Sequence, residues 1–161
     1  MISDKMAQAI NDQINRELYS EYLYMAMAAC FEAANLKGFA HWMIKQAEEE
    51  HTHAMKMYEY MCDQGARVKL QAIQEPPFEW ATPLAGFEAV LEHEKHVTAA
   101  INKLVELAIE EKDHATEIFY QWFVTEQVEE EATAQGIVET LKLVGDSPMG
   151  ILMVDRQLAQ R

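Results

Sequence analysis

A glutamate and a histidine stand three residues apart, Glu50 and His53, inside a long apolar helical pattern. On an α-helix this spacing places both side chains on one face, about one turn apart. The other positions on this face are mostly apolar: Phe39, Met43, Gln46, Met57 and Tyr60. A carboxylate buried there is costly unless it is neutralised or bound to a cation. Because Glu-x-x-His is common by chance, a metal site also requires matching ligands on other helices.

The composition favours one helical domain, 1–161, with an acidic surface. The 161 residues are 50% hydrophobic and include only six glycines and four prolines. This length suits a single core, and the shortage of turn-forming residues favours helices over a β fold. The formal net charge of −14 argues against nucleic acid as a partner and favours cations.

The lack of a paired cysteine motif and of a membrane-length apolar segment narrows the possible classes of protein further. Cys30 and Cys62 form no Cys-x-x-Cys motif, which argues against a cysteine-ligated zinc or rubredoxin-type site and favours buried thiols. No signal peptide or membrane-length apolar run is visible. We therefore expect a cytoplasmic location and no membrane partner.

Capping and proline signals divide the chain into four long helices and a short fifth helix. The predicted helices are Ser3–Ala34, Leu36–Gln64, Thr82–Lys112, Asp113–Val144 and Met149–Leu158, each bound being approximate. The aperiodic segment 65–82 is long for a compact domain, which indicates a crossover between distant ends of a bundle. The apolar residues of the fifth helix, among them Met149, Ile151, Leu152, Val154 and Leu158, are expected to pack where subunits meet.

Every long helix carries polar side chains at its inward positions. They are Glu17 on the first helix, Glu50 and His53 on the second, Glu94 on the third, and Gln127 and Glu130 on the fourth. Di-iron carboxylate proteins build their sites from inward carboxylates and Glu-x-x-His pairs on four helices. Oxygen and imidazole ligands suit iron, with zinc and manganese as competitors.

Together these motifs resemble the prokaryotic haem-free ferritins, over essentially the whole chain. The resemblance includes Leu18-Tyr19-Ser20 and the segments 46–50 and 122–131. It implies an all-α, ferritin-like four-helix bundle with one long crossover between helices two and three and a short fifth helix. It further implies a hollow shell of 24 identical subunits, with the fifth helix at the four-fold axes. The implied function is iron storage: Fe²⁺ is oxidised by O₂ or H₂O₂ at a di-iron ferroxidase centre and kept as a ferric oxyhydroxide mineral.

The resemblance also implies a role for each ligand. Glu17, Glu50 and His53 would hold the first iron. Glu50 would bridge to the second iron, which Glu94 and Glu130 complete, with Gln127 close by. Tyr24 would stand beside the centre as a hydrogen-bond or electron donor, although an ordinary core tyrosine fits the sequence about equally well.

A third iron site is implied nearby, with the ligands Glu49, Glu126, Glu129 and Glu130. The neighbouring Glu48 and Glu131 are better interpreted as parts of a solvated charged face. The histidines His41, His93, His96 and His114 are interpreted as surface or packing residues.

Three alternative classes remain. A bacterioferritin carries a second Glu-x-x-His on helix four and a haem-binding methionine after the bridging glutamate, where this chain has Gln127-x-x-Glu130 and His51. Another di-iron redox enzyme of the rubrerythrin kind would carry a cysteine-ligated electron-transfer module. A DNA-protecting shell of the Dps kind fits poorly with the acidic charge.

Overall fold

The computed structural model describes all 161 residues. It contains five α-helices and no strands. The helices are α1 (Asp4–Ala33), α2 (Lys37–Asp63), α3 (Pro83–Glu110), α4 (His114–Val144) and α5 (Pro148–Leu158). α1 packs mainly on α2 and α3 mainly on α4, while residues 66–80 cross between the pairs without regular structure. The predicted bundle, its long crossover and its short fifth helix are confirmed. No helix combines the length and the apolar character that a membrane crossing requires.

Four of the five helices begin at a residue whose side chain accepts a hydrogen bond from the backbone N–H three residues later. These capping residues are Ser3, Thr82, Asp113 and Ser147. Pro83 and Pro148 follow two of them at the first helical position, where a proline loses no hydrogen bond. Strong local capping explains why the predicted helix bounds agree with the structure to within two residues.

The remaining helix, α2, is capped from elsewhere in the chain. Leu36 precedes it and offers no capping side chain. Instead, Asp155 of α5 accepts hydrogen bonds at Oδ1 from the N–H groups of Gly38 (2.8 Å) and Phe39 (3.0 Å). A Cβ atom at Gly38 would lie 1.7 Å from the Asp155 carbonyl oxygen, so only glycine permits this approach. α5 is therefore fastened to the start of α2.

Two apolar clusters fill the bundle, one toward each end. The larger has 18 buried residues, including Phe39, Trp42 and Phe87, and the smaller has 11, including Met57 and Tyr120. Along every long helix, the inward polar positions lie between the residues of the two clusters. The polar site is thus enclosed by apolar packing on both sides.

The predicted apolar faces need small corrections. The apolar pattern of α1 predicts Met25 on its inward face, but this residue is 47% exposed. On α3 the pattern predicts Thr98 and Val105 on the inward face, whereas the preceding residues Val97 and Leu104 are the ones buried there. A pattern read at steps of three and four drifts from the true period of 3.6 residues, which accounts for such one-residue differences.

The thiols are less buried than predicted. Cys62 is exposed near the end of α2, so the expectation of two buried thiols is wrong there, and Cys30 is partly buried. Cys62 follows the buried Met61 and therefore points away from the core.

The apolar residues of α5 divide between two environments. Val154 and Leu158 are buried in the larger cluster, and Ile151 packs against it. These three contacts lie within the subunit, which corrects the prediction that the whole apolar set meets other subunits. Met149, Leu152 and Met153 remain 49–68% exposed. A helix that presents a row of exposed apolar side chains is typical of a protein–protein contact.

We expect the purified protein to elute far above its monomer mass of 18.5 kDa. Burying the exposed apolar residues of α5 against other copies should stabilise a closed homo-oligomer. Sedimentation or light scattering at physiological salt measures the assembly. A monomer or a simple dimer would contradict the shell.

Candidate metal centre

Four carboxylates, one imidazole and one amide converge from the four long helices in the middle of the bundle. The exposed fractions are Glu17 1%, Glu50 2%, Glu94 1%, Glu130 9%, His53 5% and Gln127 5%. Charged side chains are almost never buried this deeply unless they have partners. The structure therefore brings the six predicted ligand side chains together in the interior of the bundle, where a charged group needs a partner.

Glu17, Glu50 and His53 form one compact group. A ligand atom from each lies within 4.8 Å of the other two. His53 Nδ1 is 3.6 Å from Glu50 Oε2 and 3.9 Å from Glu17 Oε2, which is too far for hydrogen bonds. Glu17 Oε2 is buried and has no hydrogen-bond partner. A cation held between two carboxylates and an imidazole would supply that partner, and this donor set suits Fe²⁺.

Glu94 is held on the opposite side of the centre by two donors. The Tyr24 hydroxyl donates to Glu94 Oε1, and Gln127 Nε2 donates to Glu94 Oε2 over 3.1 Å. Tyr24 is fully buried. This contact places Tyr24 directly beside a predicted iron ligand.

Two further glutamines orient the carboxylates. Gln13 Nε2 donates to Glu17 Oε1 over 2.7 Å, whereas Gln46 Nε2 donates to Glu130 Oε2 (2.7 Å) and Glu50 Oε1 (3.2 Å). Neither glutamine was predicted as a site residue. Each precedes a ligand by four residues on the same helix face, a spacing that could have identified both.

Burial and mutual repulsion raise the pKa values of the four carboxyl groups. The pKa values of Glu17 and Glu50 lie well above 4.5. The largest cause is the loss of solvation on burial, and the next is the negative charge of a facing carboxylate. Loss of solvation also raises the pKa of Glu94. It raises the pKa of Glu130 to about 7, and the negative charge of Glu94 is the second cause there. The metal-free centre consequently retains protons near neutral pH, and an incoming cation displaces them.

A second acidic group faces a cavity of about 320 Å³ between α2 and α4. Glu49, Glu126, Glu129 and Glu130, the predicted third-site residues, all line this acidic cavity. Ligand atoms of His53, Glu126 and Glu130 lie within 4.8 Å of one another, so the cavity adjoins the buried centre.

The two glutamates interpreted as solvated do not line the acidic cavity. Glu48 forms an ion pair with Lys45 at 2.8 Å, and Glu131 accepts a hydrogen bond from the Thr98 hydroxyl at 2.5 Å. Arg161 does line it, although the sequence pattern did not identify this residue.

Aromatic rings support the imidazole. The Trp122 and Phe123 rings contact His53 edge-on, at centroid distances of 5.5 and 5.9 Å. Lys56 lies over the Trp122 ring at 3.8 Å. This packing limits the rotation of His53, and Trp122 is another residue that sequence reasoning did not assign to the site.

The other histidines lie outside the centre. His93 is the most enclosed: its Nε2 is 2.7 Å from Ser20 Oγ, and burial lowers its pKa to about 4. His51 is 55% exposed at its side chain and its Nδ1 lies 3.0 Å from Glu21. His41 contacts the carbonyl of Arg161, while His96 and His114 are exposed.

The bundle and its buried carboxylate–histidine centre define a ferritin-like protein. The ferritin family model, described as a ferritin-like domain, matches residues 7–144, and the chain therefore belongs to the ferritin family. The predicted resemblance is confirmed, and iron storage is the function that this family and this centre support.

Relatives with similar sequences cover the whole chain. It is 50% identical to the bacterial non-heme ferritin of Bacteroides fragilis (strain 638R) over 161 residues, which is 100% of both chains. It is 37% identical to the bacterial non-heme ferritin of Staphylococcus aureus (strain MRSA252), covering 100% of this chain and 97% of the relative.

Solved structures agree with the fold throughout. An open-pore ferritin from the hyperthermophilic archaeon Archaeoglobus fulgidus is 53% identical with a TM-score of 0.99, covering 100% of this chain and 99% of that one. An engineered closed form of the Archaeoglobus fulgidus ferritin is also 53% identical with a TM-score of 0.99, covering 100% and 98%.

The metal-free protein should be more stable at about pH 5.5 than at about pH 8. The pKa of Glu130 is about 7 in the fold against an ordinary 4.5, so between these values the folded state binds more protons than the unfolded chain. Stability therefore falls as the pH rises, by roughly 2 kcal/mol between pH 5.5 and pH 8 for this one group. The raised pKa values of Glu17 and Glu50 act in the same direction.

Thermal unfolding of the metal-free protein at the two pH values measures the effect. Glu130→Gln should reduce the difference, whereas Glu139→Gln, at an exposed position of the same helix, should leave it in place. A native protein whose unfolding midpoint rises between the two pH values would contradict the assignment.

Proposed function

We propose that each subunit oxidises Fe²⁺ to Fe³⁺ at the buried centre and that the assembled protein stores the product as a ferric oxyhydroxide mineral. In this proposal iron is the substrate and the cargo. The observation that carries it is the buried group of Glu17, Glu50 and His53, whose Glu17 Oε2 lacks any protein partner. Glu17, Glu50 and His53 bind the first iron. Glu50 bridges to the second, which Glu94 and Glu130 complete.

Placing two ferrous ions side by side makes a two-electron step possible. Two Fe²⁺ ions give two electrons to O₂, which takes up two protons and leaves as H₂O₂, or to H₂O₂, which takes up two protons and leaves as two waters. The carboxyl groups hold protons before iron binds and release them as the cations arrive, which provides protons close to the oxidant. Gln127 and Tyr24 keep Glu94 oriented toward the centre.

The acidic cavity serves as a third iron site in this proposal. Glu49, Glu126 and Glu129 bind a ferrous or ferric ion, and Glu130 belongs to both the cavity and the centre. Since His53 belongs to both clusters of ligand atoms and Glu130 also lines the acidic cavity, an ion can move between the two sites without leaving protein ligands.

The assembled state in this proposal is a hollow shell of 24 subunits in the cytoplasm. The solved relatives from Archaeoglobus fulgidus are described as an open-pore ferritin and its engineered closed form, and this chain matches both over its full length. A formal charge of −14 per subunit attracts cations to such a shell and steers them into its openings. Retention of iron as a mineral core, visible by electron microscopy, separates storage from a di-iron redox enzyme that only turns over.

We expect the protein as isolated to contain no haem, in contrast to the bacterioferritin-like alternative. His51 is paired with Glu21 on an exposed helix face, and the fourth helix carries Gln127-x-x-Glu130. The absorption spectrum of protein expressed with added haem precursor tests this. A Soret band that His51→Ala removes, but that His96→Ala keeps, would show that His51 binds haem.

Glu130→Leu should raise the melting temperature of the metal-free protein while abolishing rapid Fe²⁺ oxidation. The substitution removes a buried charge whose burial is costly, a change often worth roughly 1–4 kcal/mol when the apolar replacement packs well. Gln46 still donates to Glu50 after the change. The second iron loses a ligand, so added metal should stabilise the variant less than the native protein.

Melting curves with and without Zn²⁺, and the initial rate of Fe³⁺ formation under air, measure the three effects of this substitution. Glu139→Leu makes the same chemical change at an exposed position of α4 and should alter neither oxidation nor metal-induced stabilisation. A Glu130→Leu protein that is less stable without metal yet oxidises iron normally would make Glu130 a structural residue and place the centre elsewhere.

A further inference from the structure

Arg161, three residues beyond the end of α5, is part of the acidic cavity. Among the residues that line it, Arg161 is the only lysine or arginine, and it faces four glutamates. Its side chain is only 25% exposed. A cation fixed by the protein therefore already occupies a place where the proposed function requires metal ions to bind.

Four contacts hold Arg161 in position. Its guanidinium donates from Nη2 to Glu49 Oε2 (2.6 Å) and from Nη1 to Gln46 Oε1 (2.7 Å), and it lies over the Trp42 ring at 4.5 Å. Its backbone carbonyl lies 2.9 Å from His41 Nε2. A planar guanidinium bonded at two points and stacked on an indole is well suited to hold one orientation.

The packing of α5 determines the position of Arg161. Val154 and Leu158 anchor the helix in the core, and Asp155 caps α2 at Gly38 and Phe39. Arg161 then follows the end of α5 by three residues and lies beside the part of α2 that carries Gln46 and Glu49. Its position thus follows from the packing of a whole helix.

We propose that the Arg161 guanidinium is a built-in counter-cation of the acidic cavity, which a multivalent cation must displace from Glu49 in order to bind there. The inference rests on the proposed third iron site. A guanidinium nitrogen lies 2.6 Å from Glu49 Oε2, so a metal ion bound by this carboxylate would stand next to a second positive charge, and the repulsion weakens metal binding until the guanidinium moves away. A divalent or trivalent ion that gains several carboxylate ligands replaces the arginine, whereas a monovalent ion does not. Arg161 in this way restricts the cavity to multivalent cations.

The displacement is linked to the buried centre through Gln46. This side chain accepts from Arg161 at Oε1 and donates from Nε2 to Glu50 and Glu130, which are ligands of the proposed di-iron centre. When the guanidinium leaves, Gln46 Oε1 loses this donor, while Nε2 keeps its hydrogen bonds to Glu50 and Glu130. Arg161 therefore competes for the cavity and is also hydrogen-bonded to the glutamine that orients two ligands of the proposed centre.

Zn²⁺, which undergoes no redox chemistry, is the probe for this inference. Crystals of the assembled protein are soaked at a series of Zn²⁺ concentrations, and anomalous scattering gives the occupancy at the acidic cavity separately from that at Glu17, Glu50 and His53. Arg161→Gln should reach half-occupancy of the cavity at about fivefold lower Zn²⁺, the factor expected when a partly exposed ion pair no longer competes. Arg161→Lys, which keeps the charge and loses the two-point contact, should fall between the two.

Arg156→Gln is the matched control, because it removes a positive charge from an exposed position in the last turn of α5. It should leave the Zn²⁺ dependence of the cavity unchanged. In the native protein with the cavity filled, the guanidinium should have moved away from Glu49. This structural readout needs no variant and therefore does not depend on how well a variant folds.

The outcomes separate this inference from the proposed function. If Zn²⁺ occupies the cavity in the native protein while Arg161 stays bonded to Glu49, or if native and Arg161→Gln crystals fill at the same concentration, Arg161 is not a competitor and the third site stands. If Zn²⁺ fills the buried centre but never the cavity in either protein, the third iron site itself is refuted and the inference falls with it.

Discussion

The burial of four like-charged carboxyl groups in the middle of a helix bundle is the constraint on which the rest of this structure depends. Glu17, Glu50, Glu94 and Glu130 lie where an ordinary bundle places leucines. Their polar partners are neutral donors: three glutamine amides and the Tyr24 hydroxyl. No lysine or arginine pairs with any of the four. Neutral donors orient the carboxyl groups without neutralising them, so the deficit of positive charge is left for metal ions to fill.

Stability for such a centre must come from elsewhere in the bundle. The two apolar clusters, one on each side along the helix axes, bury aromatic and methionine side chains at almost full depth. Unfavourable desolvation is thereby confined to about two turns of each helix, with apolar packing before and after. The arrangement also keeps water from the ligands, which strengthens every electrostatic interaction among them.

The parts of this structure that could be predicted are those encoded in local sequence. Capping residues predict the starts of four helices, and an inward polar residue among apolar ones predicts a ligand, because both signals need only a few neighbouring positions. Asp155 and Arg161 were missed because each acts on α2 across more than 100 residues of chain, and no periodic pattern reports such a contact. Gln13 and Gln46 are a different case, since their spacing from Glu17 and Glu50 carried a signal that was available.

The missed contacts also explain why the start of α2 carries no capping side chain of its own. A local cap at Leu36 would make α2 independent of α5, whereas the cap supplied by Asp155 makes the two helices depend on each other. α2 carries Glu49, Glu50 and His53, and α5 carries the segment that ends in Arg161. The requirement for glycine at position 38 shows how closely the two backbones approach. One interface near the start of α2 therefore sets both the position of three proposed metal ligands and the position of Arg161, the cation proposed to oppose metal binding.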